Sequence, residues 1–197
     1  HGPGDWALLL ALAALWGSAF LLTKVAVGGM PPGWVTAGRL LLAAALLLPL
    51  AAWHGRLGRP HWRAWIFLGL IALLGNVLPF WLIAWGQRGI DSGLSGILMA
   101  VMPLAVLGLA HLFVPGEGLT RRRLAGFALG FAGVAVLLGP EAFSDQAAGE
   151  DMGAPEPLRA MLAVLGGALC YAVSAILARL RPAQGALATA ALVTLLA

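Results

Sequence analysis

Along 6–27, 34–53, 65–85, 94–114 and 158–180 the chain runs with hardly a charged side chain. About 20 such residues in a helix cover the roughly 30 Å of hydrocarbon in a bilayer. A somewhat shorter run covers 124–139 and another opens at 183, so the sequence predicts six complete spans and the start of a seventh. Of the residues, 61% are hydrophobic and 10% are charged, against about 45–50% and 25% in soluble domains. No soluble fold hides that much apolar surface, and the predicted fold class is an all-α membrane protein, a transmembrane helix bundle.

The net charge of +4 does not indicate a nucleic-acid partner, because the arginines sit in short loops between apolar runs. The expected partners are the lipid bilayer and a small molecule, with no nucleic acid and no readable oligomeric state. Cys170 is the one cysteine and lies inside an apolar run, so neither an intrachain disulfide nor a CxxC-type metal site is available. No cofactor and no metal are expected. The opening segment resembles a secretory signal at Ala11-Leu12-Ala13, but it has no basic start and its apolar run continues to Val27. It reads as a first membrane helix. The chain opens at His1 and its last apolar run stops at Ala197, from which a partial chain is expected.

Tryptophans bound several runs: Trp6, Trp34, Trp53, Trp65 and Trp85 all fall at predicted ends, where an amphipathic ring prefers the headgroup region. Loop charge then sets orientation. Arg56, Arg59 and Arg63 follow the second span, Arg121, Arg122 and Arg123 the fourth, and Arg179 and Arg181 the sixth. The positive-inside rule places these loops in the cytoplasm, and with them the N-terminus. The alternate loops include an acidic stretch with Glu141, Asp145, Glu150, Asp151 and Glu156, expected outside. The segment 139–157 is rich in Gly, Ala and Pro and reads as a flexible external linker. It separates five spans from a new unit.

That unit echoes the start of the chain. Ala14-Leu15-Trp16 with Lys24 is matched by Ala168-Leu169-Cys170-Tyr171 with Arg179, the basic residue following the aromatic one at the same offset. An odd number of spans per unit inverts the second copy in the membrane, an arrangement common in secondary transporters.

The order of these features resembles the EamA-type branch of the drug/metabolite transporter superfamily. The resemblance rests on Trp16-Gly17-Ser18-Ala19-Phe20 with Lys24, on Pro32, and on Arg39 with Ala43 and Ala44. It continues through Ser92, Ser95 and Pro103, and through Gly116-Glu117-Gly118-Leu119-Thr120 leading into Gly126, Gly130 and Gly133. It implies ten helices in two inverted five-helix repeats around a central substrate cavity, with both termini cytoplasmic. On that pattern 1–140 is a first repeat of five helices, 141–157 an external acidic loop and 158–197 the truncated start of a second, so that six to seven helices are present.

Transport needs polar groups facing a cavity, and charges within a span are costly enough to be functional suspects. Lys24 and Arg39 are the charged residues well within spans, both near the expected external end. Arg39 lies five residues after Trp34, about 7 Å deep at roughly 1.5 Å per residue. From there each side chain either snorkels to the headgroups or attracts an anion. Gly75-Asn76 and Pro79 can free backbone carbonyls and break the third span, which makes Asn76 the midplane candidate, against an alternative role as interhelical glue. Trp16 and Ser18 form a candidate aromatic face and hydroxyl, against close packing through Gly17 and Ser18. Met99, Met102 and Pro103 offer a soft wall and a kink. Gly126-x-x-x-Gly130 with Gly133 is expected to pack helices closely, and His111 and Glu117 to cap and salt-bridge beside Arg121–Arg123.

The sequence argues against an enzyme. All 8 acids lie in loops or at the N-terminus, so no intramembrane carboxylate pair exists for acid/base chemistry. Ser95 and His111 share one helix about 24 Å apart, too far for a nucleophile and its base. The expected function is a secondary transporter exporting small metabolites such as amino acids. The alternative, a non-transporting scaffold or assembly subunit, requires that Asn76, Ser18 and Arg39 all be engaged in packing.

Overall fold

The computed structural model describes residues 2–54, 61–114, 120–142, 155–180 and 186–197, all of whose regular structure is helical. Helix α1 spans Pro3–Gly29 and α2 Pro32–Trp53. The third span is built from α3 (Trp62–Ala72), a π-helical turn (Leu73–Val77) and α4 (Leu78–Gly86). The fourth is α5 (Ser92–Met99) with α6 (Val101–Phe113); α7 (Arg121–Ala142), α8 (Pro157–Leu180) and α9 (Ala186–Leu196) follow. Five segments, Gly4–Gly29, Pro32–Trp53, Ala64–Gly86, Ser92–Phe113 and Pro157–Leu180, are each long and apolar enough to cross a membrane. Helix α7 covers the fifth expected span and runs on to Ala142. The acidic stretch from Asp145 to Asp151 lies outside the described residues.

Proline chemistry explains both interrupted spans. Pro79 has no N–H to donate to Gly75 and its ring crowds that carbonyl. The chain responds with the π turn, in which the Leu78 N–H reaches back to the Leu73 carbonyl. Pro103 stands in the same relation to Met99, and α5 ends there. The Ala100 N–H is shared between the Gly96 and Ile97 carbonyls at 3.2 and 3.0 Å.

Helix α8 packs against α4, α5 and α6, and α9 against α2 and α3. Ile90, Leu94 and Ile97 meet Ala160 and Val164 at one end of the bundle, and Leu68, Ile71 and Ala72 meet Leu192 and Val193 at the other. Within lipid, apolar burial separates helices from hydrocarbon no better than from each other, so close backbone approach decides which faces associate. That approach lies between α4 and α8. A Cβ on Gly86 would sit 2.7 Å from the Ala160 carbonyl oxygen, and one on Gly167 would sit 3.1 Å from Ile83 Cγ1. The expectation of close packing at Gly126 and Gly133 is corrected here. Among the described residues a Cβ on either would meet nothing within 4 Å, because a small-residue face specifies what could approach but not what does. The surroundings of Gly130 lie outside the described residues.

Trp6, Trp34, Trp53 and Trp65 are exposed at helix ends, as expected for interfacial rings. Trp85 instead stacks on Trp81, with centroids 6.3 Å apart.

Candidate functional site

The short α4 and the π turn form one wall of a cavity of about 320 Å³, completed by α1, α2, the α5–α6 break and α8. Pockets that take small ligands start at about 300 Å³ and are mostly apolar with a few convergent polar groups. Helix α1 presents Trp16, Ala19, Phe20 and Thr23, a stripe with helical spacing, and Asn76, Phe80 and Ile83 form the corresponding stripe across the π turn and α4. Met99 and Met102 flank the Ala100 break, and Tyr171 enters from α8.

Arg39 supplies the cavity's positive charge. Its Nη1 donates to Thr23 Oγ1 at 3.1 Å, and Thr23 Oγ1 donates in turn to the Ala19 carbonyl at 2.7 Å. The guanidinium carbon lies 4.1 Å from the Phe80 ring centroid. Phe80 meets Tyr171 edge-on, centroids 6.4 Å apart and planes at 65°. A column of four side chains, Thr23, Arg39, Phe80 and Tyr171, thereby joins α1, α2, α4 and α8. A flat, weakly hydrated guanidinium stacks on an aromatic face at low desolvation cost. Among the described residues no carboxylate pairs with Arg39, whose charge is held by a hydroxyl and a ring.

Of the predicted site residues, the structure brings Trp16, Arg39 and Asn76 together around this cavity. Asn76 makes no hydrogen bond among the described residues, so its amide is open to the cavity rather than tied to a neighbouring helix. Ser18 is not part of the lining; it is exposed, and its hydroxyl donates to the Leu15 carbonyl of its own helix at 3.1 Å. Lys24 is also absent from the lining. Its Nζ donates to the Gln87 and Ile90 carbonyls at 2.7 and 3.0 Å, so it neither snorkels nor faces the cavity. Sequence reasoning missed Phe20, Thr23, Phe80, Ile83 and Tyr171. The helical stripes containing Trp16 and Asn76 carried the signal for four of them, and the echo of Trp16 at Tyr171 carried it for the fifth: both aromatics reach one cavity.

The EamA-like transporter family model matches residues 4–139. The chain belongs to this family. Among curated relatives, the EamA chain is 31% identical over 72% of its length to a WAT1-related chloroplast protein of Arabidopsis thaliana, of which it covers 34%. It is 30% identical over 67% of its length to a protein of Streptantibioticus cattleyicolor named as a probable terminal-alkyne amino-acid exporter, of which it covers 43%. It is 30% identical over 66% of its length to the uncharacterized inner membrane transporter YedA of Escherichia coli K12, of which it covers 42%. The chain thus spans less than half the length of these relatives. A solved crystal structure superimposes with a TM-score of 0.63 at 24% identity, over 99% of this chain and 66% of its own, which establishes the fold in common. An EamA family member with this bundle is a multi-pass membrane protein.

Proposed function

We propose that this chain is part of a secondary transporter that exports small amphipathic metabolites, amino acids or compounds related to them, across the cytoplasmic membrane by alternating access. The observation that carries the reading is the cavity itself: a guanidinium that pairs with no carboxylate among the described residues and an open Asn76 amide, set among Trp16, Phe20, Phe80 and Tyr171. The guanidinium offers its free N–H groups to an anionic group such as a carboxylate. The rings and the thioethers of Met99 and Met102 take an apolar body without demanding one shape. The name of the Streptantibioticus relative, a probable terminal-alkyne amino-acid exporter, supports an amino-acid-like cargo. The scaffold alternative required Arg39, Asn76 and Ser18 to be engaged in packing, and the open Asn76 amide counts against it.

In this reading 1–140 forms one repeat, 141–157 an external loop and 158–197 the start of an inverted second repeat, with the arginine loops and the N-terminus in the cytoplasm. The match of Trp16 to Tyr171 across one cavity supports the repeat, and the clustering of arginine in alternate loops supports the orientation. Trp16, Arg39 and Asn76 bind the cargo. Metabolites in the medium of cells with and without the intact transporter test this. Accumulation of carboxylate-bearing amphipaths that depends on the transporter is expected, and an unchanged medium across the candidate classes would sink the export reading.

A further inference from the structure

On the Lys24 side, the cavity ends in a packed layer. Val27, Val35 and Ala84 form a buried cluster there, and Gln87 and Ile90, in the turn between α4 and α5, are 0% and 1% exposed. That turn is fastened to α1 by three hydrogen bonds. Lys24 Nζ donates to the Gln87 and Ile90 carbonyls, and Gln87 Nε2 donates to the Phe20 carbonyl at 3.1 Å. The residues doing the fastening are continuous with the cavity wall, since Phe20 and Thr23 line it and Lys24 follows directly.

Three features distinguish this fastening from a fixed staple. The ammonium is held by main-chain carbonyls, so among the described residues releasing it separates no ion pair. Among the described residues Gln87 Oε1 is buried without a hydrogen-bond partner, and an acceptor left unmade bears its full desolvation penalty, which favours an arrangement in which it is solvated. Finally, α4 is a short lever. At one end lies the π turn, a local loosening of the helical ladder of a kind often found at functional sites, and at the other the fastened turn. Its back face meets α8 at close approach through Gly86, Gly166 and Gly167, while Phe80 lines the cavity and Ile83 lies between that contact and the cavity wall.

We propose that Lys24 and Gln87 are positioning residues for transport: they form a latch that holds α4 and its following turn against α1, closing one end of the cavity, and its release opens that end. Ligand at Phe80 bears on the lever between hinge and latch. The inference rests on the transporter reading above, and the side on which the latch opens rests on its orientation.

The test uses the intact transporter carrying Ala19→Cys, a cavity-lining position, in a Cys170→Ser background, labelled with a membrane-impermeant sulfonated thiol reagent in whole cells and in inverted vesicles. Lys24→Met is expected to speed labelling about tenfold from the outside alone, the factor set by losing hydrogen bonds to a charged donor. Lys24→Arg, which keeps a cation and several donors, is expected to restore most of the closure. Unchanged labelling in Lys24→Met, or an equal rise from both sides as general loosening would give, overturns the latch. If Lys24→Met does not reach the membrane folded, Gln87→Ala is judged by the same criteria. A rise confined to inverted vesicles supports the latch and overturns the orientation.

Discussion

The guanidinium carbon of Arg39 lies 4.1 Å from the centre of the Phe80 ring, placing a cation from α2 on an aromatic face of α4 at the wall of an apolar cavity. The stack fixes the plane of the guanidinium and leaves its edge available, and it ties the position of the charge to the lever that carries Phe80.

Arg39→Lys keeps the charge but loses both the planar fork and the stack. In proteoliposomes, with the exported metabolite as substrate, apparent affinity is expected to fall about tenfold, corresponding to roughly 1.4 kcal/mol, with expression near normal. Unchanged kinetics would remove Arg39 from the binding site.

Asn76 faces the cavity from the π turn and makes no hydrogen bond among the described residues, so Asn76→Leu leaves no broken protein partner behind. Transport is expected to drop by an order of magnitude or more while the thermal midpoint in detergent stays near that of the parent. A large fall in that midpoint with intact transport would assign Asn76 to packing instead.

Gly86 and Gly126 separate packing from pattern. A Cβ at Gly86 would meet the Ala160 carbonyl oxygen at 2.7 Å and Val164 Cγ2 at 2.8 Å, whereas one at Gly126 would meet nothing within 4 Å among the described residues. Gly86→Ala is expected to lose about 1–3 kcal/mol of stability, as overpacking does, seen as a lower midpoint in detergent. Gly126→Ala is expected to be neutral or slightly stabilising, given alanine's higher helix propensity. Equal effects would contradict the α4–α8 contact.

Orientation is checked at two exposed positions in a Cys170→Ala background. A cysteine at Asp91 is expected to react with an impermeant reagent from outside the cell, and one at Thr120, beside Arg121–Arg123, only after the membrane is opened. The reverse pattern would place the arginine loops outside.

Much of the fold is written in single-residue chemistry. Pro79 and Pro103 announce breaks because a missing N–H and a crowded carbonyl act on the chain itself, and the breaks appear at Leu73–Val77 and Ala100. Lys24 marks the limit of that reading. Its place inside a span flags it as unusual, yet whether its ammonium turns to headgroups, ligand or backbone depends on where the α4–α5 turn lies, more than sixty residues away along the chain.

What the sequence determined by itself is whatever one segment settles with its solvent: which runs enter lipid, since hydrocarbon reads length and hydropathy locally, where the interfacial tryptophans fall, and where proline interrupts the ladder. Only the tertiary structure decided which faces meet. It joined Arg39 to Thr23 and Phe80, drew Tyr171 to the cavity that holds Trp16, put the close glycine contacts at Gly86 and Gly167 and left Gly126 open. The physical reason is that helices in lipid gain little from apolarity when they associate, so the choice falls to shape and a few polar groups, and shape complementarity belongs to pairs of helices rather than to either sequence.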